Sequence, residues 1–318
     1  VPKKSLEVAS LAAKPGERVF DLLTLHIADQ DVQIPLFLIN GAEEGPTLAV
    51  TAGIHGAEYA GIEAALRFAR LVDPTSLQGQ VIVAPMANPP AFWARSIYVC
   101  PLDGKNLNRV FPGDPQGSPS EILAHWLFQN LISRGDYYID LHGGDMIEAL
   151  VPFVIYRLSG DDKVDKASDA LARSYGFRYL VESKTKGAAT SAAAARGIPS
   201  MLAESGGQGI WDEVVVGAHT TGLLRALRHL GMVEGGQPEE VPTQLLRTFA
   251  WLRSEHNGFY YPKTKVGDVV AKGRDLGYIG DHLNNVLQTL EAPLSGRILF
   301  LVTSLAINQG DPLLAVGA

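Results

Sequence analysis

The 318-residue chain predicts an α/β fold: a mixed, mostly parallel sheet with helices on both faces, followed by a small all-β domain at the C-terminus. Three observations carry this reading. Apolar runs such as Thr47 to Thr51 and Val81 to Pro85 are continuous rather than alternating, as in strands buried on both faces. Stretches with helical spacing lie between such runs, which favours parallel crossovers. Beyond Gly235-Gly236-Gln237-Pro238-Glu239-Glu240 the helical spacing stops, and short strands alternate with glycine turns.

Val19 to Ile27 and Val32 to Ile39 are β-branched and aromatic bursts around Ala28-Asp29-Gln30-Asp31, and they read as a hairpin. Gly45-Pro46 is punctuation before the strand Thr47 to Thr51. Glu58 to Leu71 then places Ile62, Ala65, Leu66 and Ala69 at helical spacing, and Val81 to Pro85 is a second buried strand. Leu123 to Ile132 reads as a helix, Tyr137 to Leu141 and Val151 to Tyr156 as strands, Ala167 to Tyr175 as a helix, and Ile198 to Ala203 as the closing strand. Ala188 to Ala195 is alanine-rich, but short and interrupted by Thr190 and Ser191. From Arg247 to Ala318, Gly267-Asp268, Lys272-Gly273, Gly296 and Gly310-Asp311 mark turns of a docked all-β module.

Composition narrows the function classes. Hydrophobic residues make up 46% and charged residues 19%, a folding composition that argues against a disordered chain. With 27 Lys+Arg against 34 Asp+Glu the net charge is −7, which offers no field for nucleic acid or an anionic membrane, so neither is an expected partner. Cys100 is the single cysteine; it excludes an internal disulfide and a thiolate-rich metal site, and it fits a reducing, cytoplasmic compartment. Val1 to Ser10 has two lysines with no apolar core behind them, so no leader is expected there, although the missing initiator Met suggests trimming and leaves a removed leader open. Ile298 to Val302 is too short to cross a bilayer.

The chemistry concentrates at strand ends. Gly53-Ile54-His55-Gly56-Ala57-Glu58 joins a strand to a helix, and its glycines permit a sharp turn. His55 and Glu58 can there aim at one point outside the carboxyl ends of the strands, where open α/β sheets bind ligands. His142 ends the strand Tyr137 to Leu141, within Asp140-Leu141-His142-Gly143-Gly144. Two His and one Glu, with water in the fourth position, form a catalytic zinc set. Zinc brings the pKa of such a water to roughly 7. Taken singly, a HxxE tetrapeptide or a strand-end His is more often structural; the combination at one sheet edge puts a metal site on an equal footing with that reading.

Glu204, at the end of the strand Ile198 to Ala203 and followed by Ser205-Gly206-Gly207, is placed to take a proton from the water and pass it to a leaving amine. Asn106, Asn108 and Arg109 lie in the Gly/Pro-framed loop Asp103 to Gly113; they suit recognition of a carboxylate or a developing oxyanion, or simply a rigid turn. Asp140 shares a face with His142 and either steadies it or caps a neighbouring loop.

Four motifs in order, His55-Gly56-Ala57-Glu58, Asn106-Leu107-Asn108-Arg109-Val110-Phe111-Pro112-Gly113, Asp140-Leu141-His142-Gly143-Gly144 and Ala203-Glu204-Ser205-Gly206-Gly207, resemble the succinylglutamate desuccinylase/aspartoacylase family, a branch of the zinc carboxypeptidase-like fold. The resemblance covers about residues 45 to 210. It implies one zinc per chain, held by His55, Glu58 and His142. It further implies Glu204 as general base and acid, with Asn108 and Arg109 binding substrate and steadying the polarised carbonyl. The tail resembles the family's β-rich C-terminal domain, similar in plan to a biotinyl/lipoyl-type sandwich; Asp281 to Glu291 has no Lys, so a prosthetic group is not expected. The division expected is a catalytic domain over 1–238 and a β-sandwich-like domain over 244–318.

Where the family has a Ser/Thr-Arg-aromatic triplet this chain has Ser96-Ile97-Tyr98, and Thr190 to Ala195 lacks the Arg found before the catalytic Glu in aspartoacylases. Arg95 and Arg196 are the nearest arginines, each reading as a surface residue rather than a substitute, and a less acidic substrate is expected. The expected function is zinc-dependent hydrolysis of the amide bond of a small N-acyl amino acid or related amide. The competing readings are a zinc carboxypeptidase or amidase on peptide-like substrates, and a non-catalytic small-acid binding protein on the same scaffold; a homo-oligomer is compatible with each. His/Glu ligation by itself also admits other divalent ions.

Overall fold

The protein's computed structural model describes residues 3–318; Val1 and Pro2, at the head of the stretch read for a leader, lie outside the described residues. Strands β1 (Leu6–Val8) and β2 (Leu11–Ala13) pair with each other. The expected hairpin is β3 (Glu17–Ile27) and β4 (Gln30–Asn40). Its loop is only Ala28-Asp29, both at positive φ (50° and 59°), the backbone twist that fits a two-residue hairpin. Gln30 and Asp31, read as part of the loop, already pair with Ile27 and His26.

The chain then alternates through β5 (Glu43–Ala52), α1 (Tyr59–Leu71), β6 (Gln78–Ala84), the short α2 (Pro89–Ala94), α3 (Pro119–Asn130) and β7 (Tyr137–His142). It continues through β8 (Glu148–Leu150), β9 (Phe153–Arg157), α4 (Asp162–Tyr175), β10 (Tyr179–Ser183), α5 (Ala189–Ala195), β11 (Ser200–Glu204), α6 (Glu213–His229) and β12 (Gln244–Leu246). Nine strands form one sheet in the order β12-β10-β9-β11-β7-β5-β6-β4-β3. Five of its eight neighbouring pairs are parallel, so the sheet is mixed and mostly parallel.

Continuous apolar strands are explained by a core on each face. Leu48, Val50, Ile139, Leu141, Met201 and Ala203 point to a core with Ile62 and Phe68 of α1, Leu171 and Tyr175 of α4, and Leu223 and Leu227 of α6. Their neighbours Ala49, Ile82 and Tyr138 point to a second core with Leu123 and Leu127 of α3 and Ala189 and Ala193 of α5. No helix among the described residues is long and apolar enough to cross a membrane.

The remaining strands are β13 (Phe249–Arg253), β14 (Gly258–Pro262), β15 (Val269–Val270), β16 (Asp275–Gly280), β17 (Val286–Glu291), β18 (Gly296–Val302), β19 (Ala306–Ile307) and β20 (Pro312–Gly317). They form two antiparallel sheets, β13-β20-β18-β15 and β17-β16-β14-β19, around Tyr260, Leu276, Ile279, Ile298 and Leu313. Strands are exchanged between the two parts of the chain. β8 adds to the β18 edge of the C-terminal sheet, while β12, beyond the 235–240 stretch, adds to the edge of the nine-stranded sheet.

Candidate metal centre and its cavity

The turn between β5 and α1 is held tightly. Asn88 caps α2 through Oδ1, which accepts from Ala91 N, and its Nδ2 donates to Ile54 O (3.1 Å). Gly56 lies so close to α2 that a Cβ would fall 2.2 Å from the Ala91 carbonyl carbon and Phe92 N. Gly53 adopts φ +68°, and a Cβ there would also press on Ile62. Glu58 occupies the N-cap position of α1, yet its carboxylate makes no capping bond. It turns instead towards the two histidines.

Glu58 Oε1 lies 2.7 Å from His55 Nδ1, and Oε2 lies 2.9 Å from His142 Nδ1. The rings are 5.0 Å apart, and ligand atoms from all three residues lie within 4.8 Å of one another. Each imidazole is also fixed from its other side. Asn106 Oδ1, which accepts from Asn108 N, lies 3.1 Å from His55 Nε2, and Asp140 Oδ2 lies 3.0 Å from His142 Nε2. Both partners are acceptors, so each Nε2 donates, and each Nδ1 faces a carboxylate. That arrangement calls for positive charge in between, supplied by a proton on each ring or by one divalent ion. The donor set therefore fits a metal such as zinc.

Asp140 is itself held, since Thr51 Oγ1 donates to its Oδ1 (2.7 Å) and Tyr138 OH donates to Thr51 (2.5 Å). It steadies His142 rather than capping a loop. Burial alone would raise the Glu58 carboxyl, but His142 and then His55 hold it down to about 2. Burial opposes charge on His142 too, yet Asp140 and Glu58 raise its pKa well above the usual imidazole value.

Glu204 pairs in register with His142 on the neighbouring parallel strand, which brings its side chain beside the imidazole. Its Oε2 is buried without a hydrogen-bond partner, and burial raises its pKa well above the carboxylate range. The loop after α2 contributes Asn106, Asn108 and Arg109 to the same cavity. Asn108 Oδ1 accepts from Ala189 N (2.9 Å), which ties the loop to α5. Arg109 donates to Asn108 O (2.8 Å) and, among the described residues, has no carboxylate in an ion pair. Burial lowers its pKa, Glu204 counters this, and nearby Arg253 adds to it.

The cavity measures about 850 Å³. Several of its residues were not singled out from sequence as site residues. Tyr98, at φ 61°, donates through its hydroxyl to Glu148 Oε1 (2.7 Å), and burial raises the Glu148 carboxyl to about 7. Phe249, Trp251, Arg253, Phe300 and Pro312 wall the cavity from the C-terminal sheets. Arg157 and Ser183 lie at the ends of β9 and β10. Arg95 and Arg196, read from sequence as surface residues more than as substitutes for the missing arginines, are exposed and do not line the cavity.

Known proteins resemble the chain over most of its length. Residues 44–230 match the profile described as succinylglutamate desuccinylase/aspartoacylase catalytic domain. The chain is 30% identical over 294 residues to an N-alpha-acetyl-L-2,4-diaminobutyric acid deacetylase of Halomonas elongata, covering 90% of this chain and 85% of that one. A succinylglutamate desuccinylase/aspartoacylase structure from Rhodobacter sphaeroides superposes with TM-score 0.85 at 28% identity, over 95% of both chains. The product-bound ectoine utilization protein EutE (DoeB) from Ruegeria pomeroyi gives TM-score 0.86 at 26% identity, over 100% of this chain and 99% of that one.

Proposed function

The chain belongs to the succinylglutamate desuccinylase/aspartoacylase family, and from that premise we propose that it is a zinc-dependent deacylase hydrolysing the amide bond of a small N-acyl amino acid. The observation that carries this reading is the convergence of His55, Glu58 and His142, with the unpartnered Glu204 carboxyl beside them. His55, Glu58 and His142 would hold one zinc, which would supply a water of lowered pKa and Lewis-acid polarisation of the scissile carbonyl.

The chain's own groups do the rest. Glu204 takes a proton from the attacking water and returns it to the amine nitrogen as the C–N bond breaks. Arg109, which makes no ion pair among the described residues, and the Nδ2 of Asn108 bind the substrate carboxylate and steady charge on the carbonyl oxygen. Asn106 orients His55 from behind while bordering the substrate space.

The C-terminal sheets favour a small substrate over a peptide, because Trp251, Phe300 and Pro312 stand over the cavity. In this reading residues 1–238 carry the chemistry and residues 244–318 limit access. The single buried Cys100 supports a cytoplasmic setting.

The test is metal content together with hydrolysis of a panel of N-acyl amino acids. One zinc per chain and release of free amine are expected, and Glu204→Ala should keep the metal while losing ~10²- to 10⁴-fold in kcat. Near-full turnover in Glu204→Ala removes the base assignment, and release of C-terminal residues from peptides replaces the deacylase reading with a carboxypeptidase.

A further inference from the structure

The far end of the cavity holds an arginine that makes no ion pair among the described residues. Arg157 is 5% exposed and lines the cavity. Among the described residues its side-chain hydrogen bond is the 2.9 Å donation from Nη1 to Ser183 Oγ, and burial alone acts on its pKa, downwards, with no acidic group offsetting it. A guanidinium stays protonated in a protein, and taking it from water without a counter-ion is costly. Such a residue needs water or an anionic ligand in the space it faces.

Its position defines which part of a ligand would reach it. Phe153 pairs with Glu204 in the sheet, and Arg157 lies four residues further along the same strand, on the same face. That is roughly 13 Å of extended backbone from the metal end, less the reach of the arginine side chain. Ile155, Val181 and Leu202 form an apolar floor between the two ends. Arg109 and Arg253 lie close to each other and supply a separate cationic group within the cavity.

We propose that Arg157, with Ser183 beside it, is a specificity-determining anion subsite that binds a second substrate carboxylate, carried on a short aliphatic chain across the apolar floor. The proposal rests on the deacylase reading for its substrate class. It revises the expectation of a less acidic substrate, which followed from the arginines missing at Ser96-Ile97-Tyr98 and Thr190 to Ala195. The charge is supplied from a different strand.

The test uses the zinc-loaded full chain. Calorimetric binding of glutarate and adipate is compared with binding of their monoamides, in wild type, Arg157→Met, Arg157→Lys and Ser183→Ala. Wild type should bind the dicarboxylates at least about tenfold more tightly than the monoamides, the worth of one charged hydrogen-bonded contact. That ratio should collapse to about one in Arg157→Met and fall partway in Arg157→Lys and Ser183→Ala. Thermal stability of Arg157→Met should be unchanged or raised, since one bond to Ser183 is lost and a buried charge is removed. No discrimination in wild type, or an undiminished ratio in Arg157→Met, overturns the proposal. So does equal loss of both ligand types together with stability, the mark of a structural arginine. Kinetics on N-succinyl-L-alanine and N-acetyl-L-glutamate, each beside its side-chain or terminal amide, then shows whether the carboxylate sits on the acyl or the amine half. If wild type hydrolyses no N-acyl substrate while the dicarboxylate ratio and its collapse both hold, the deacylase reading fails and the anion subsite stands.

Discussion

Glu148 carries a consequence of burial that can be measured without substrate. Its carboxyl is raised from 4.5 to about 7, chiefly by burial. The native state therefore binds a proton that the unfolded chain releases, and this contribution to stability is full below about pH 4.5 and lost as pH rises through about 7. The shift corresponds to about 3 kcal/mol. Denaturant titrations from pH 4.5 to 8 should show wild type losing stability relative to Glu148→Gln across that window, and parallel curves would refute the assignment. The candidate metal ligands His55, Glu58 and His142 were legible in the sequence for a physical reason: each ends an apolar strand or opens a helix beside glycines, where a buried polar group is out of place. Arg157 and Tyr98 gave no such signal. An arginine that ends an apolar run reads as a solvated strand end, and only the packing of β9 against its neighbours shows that it is enclosed.

Among the elements, the alternation of apolar runs and helical spacing located the strands around the site, because burial on both faces leaves a continuous apolar pattern. The longest helix, α6, was not legible. It begins Glu213-Val214-Val215-Val216-Gly217 and continues through Thr220-Thr221-Gly222, residues of low intrinsic helix preference. Tertiary packing overrides that preference: α6 lies against α1 and α4, and Gly222 lets it approach the buried Tyr175. A Cβ at Gly222 would fall 2.4 Å from the Tyr175 ring, so Gly222→Ala should destabilise by about 1–3 kcal/mol. Gly217, with open space around it, provides the opposite case; Gly217→Ala should stabilise by about 0.5–1 kcal/mol. Urea denaturation of the two variants checks both signs, and equal effects would mean that helix preference rather than packing sets the response.

For the whole molecule, the exchange of β8 and β12 couples the C-terminal sheets to the cavity, a long-range pairing that no local sequence pattern encodes. Leu299 of β18 is fully buried against Phe153, Tyr179, Val181 and Leu246, two of which line the cavity. Leu299→Ala should cost about 2–5 kcal/mol and raise KM through the loosened wall. A loss of stability with unchanged KM would uncouple the C-terminal part from the site. The proposed hydrolysis depends on one divalent ion at the rim of the nine-stranded sheet. Anomalous scattering recorded at the zinc edge from crystals of the zinc-loaded protein tests this directly. The predicted result is a single peak about 2.0–2.2 Å from His55 Nδ1, His142 Nδ1 and a Glu58 carboxylate oxygen. A peak elsewhere, or none at these three residues in zinc-loaded crystals, would contradict it.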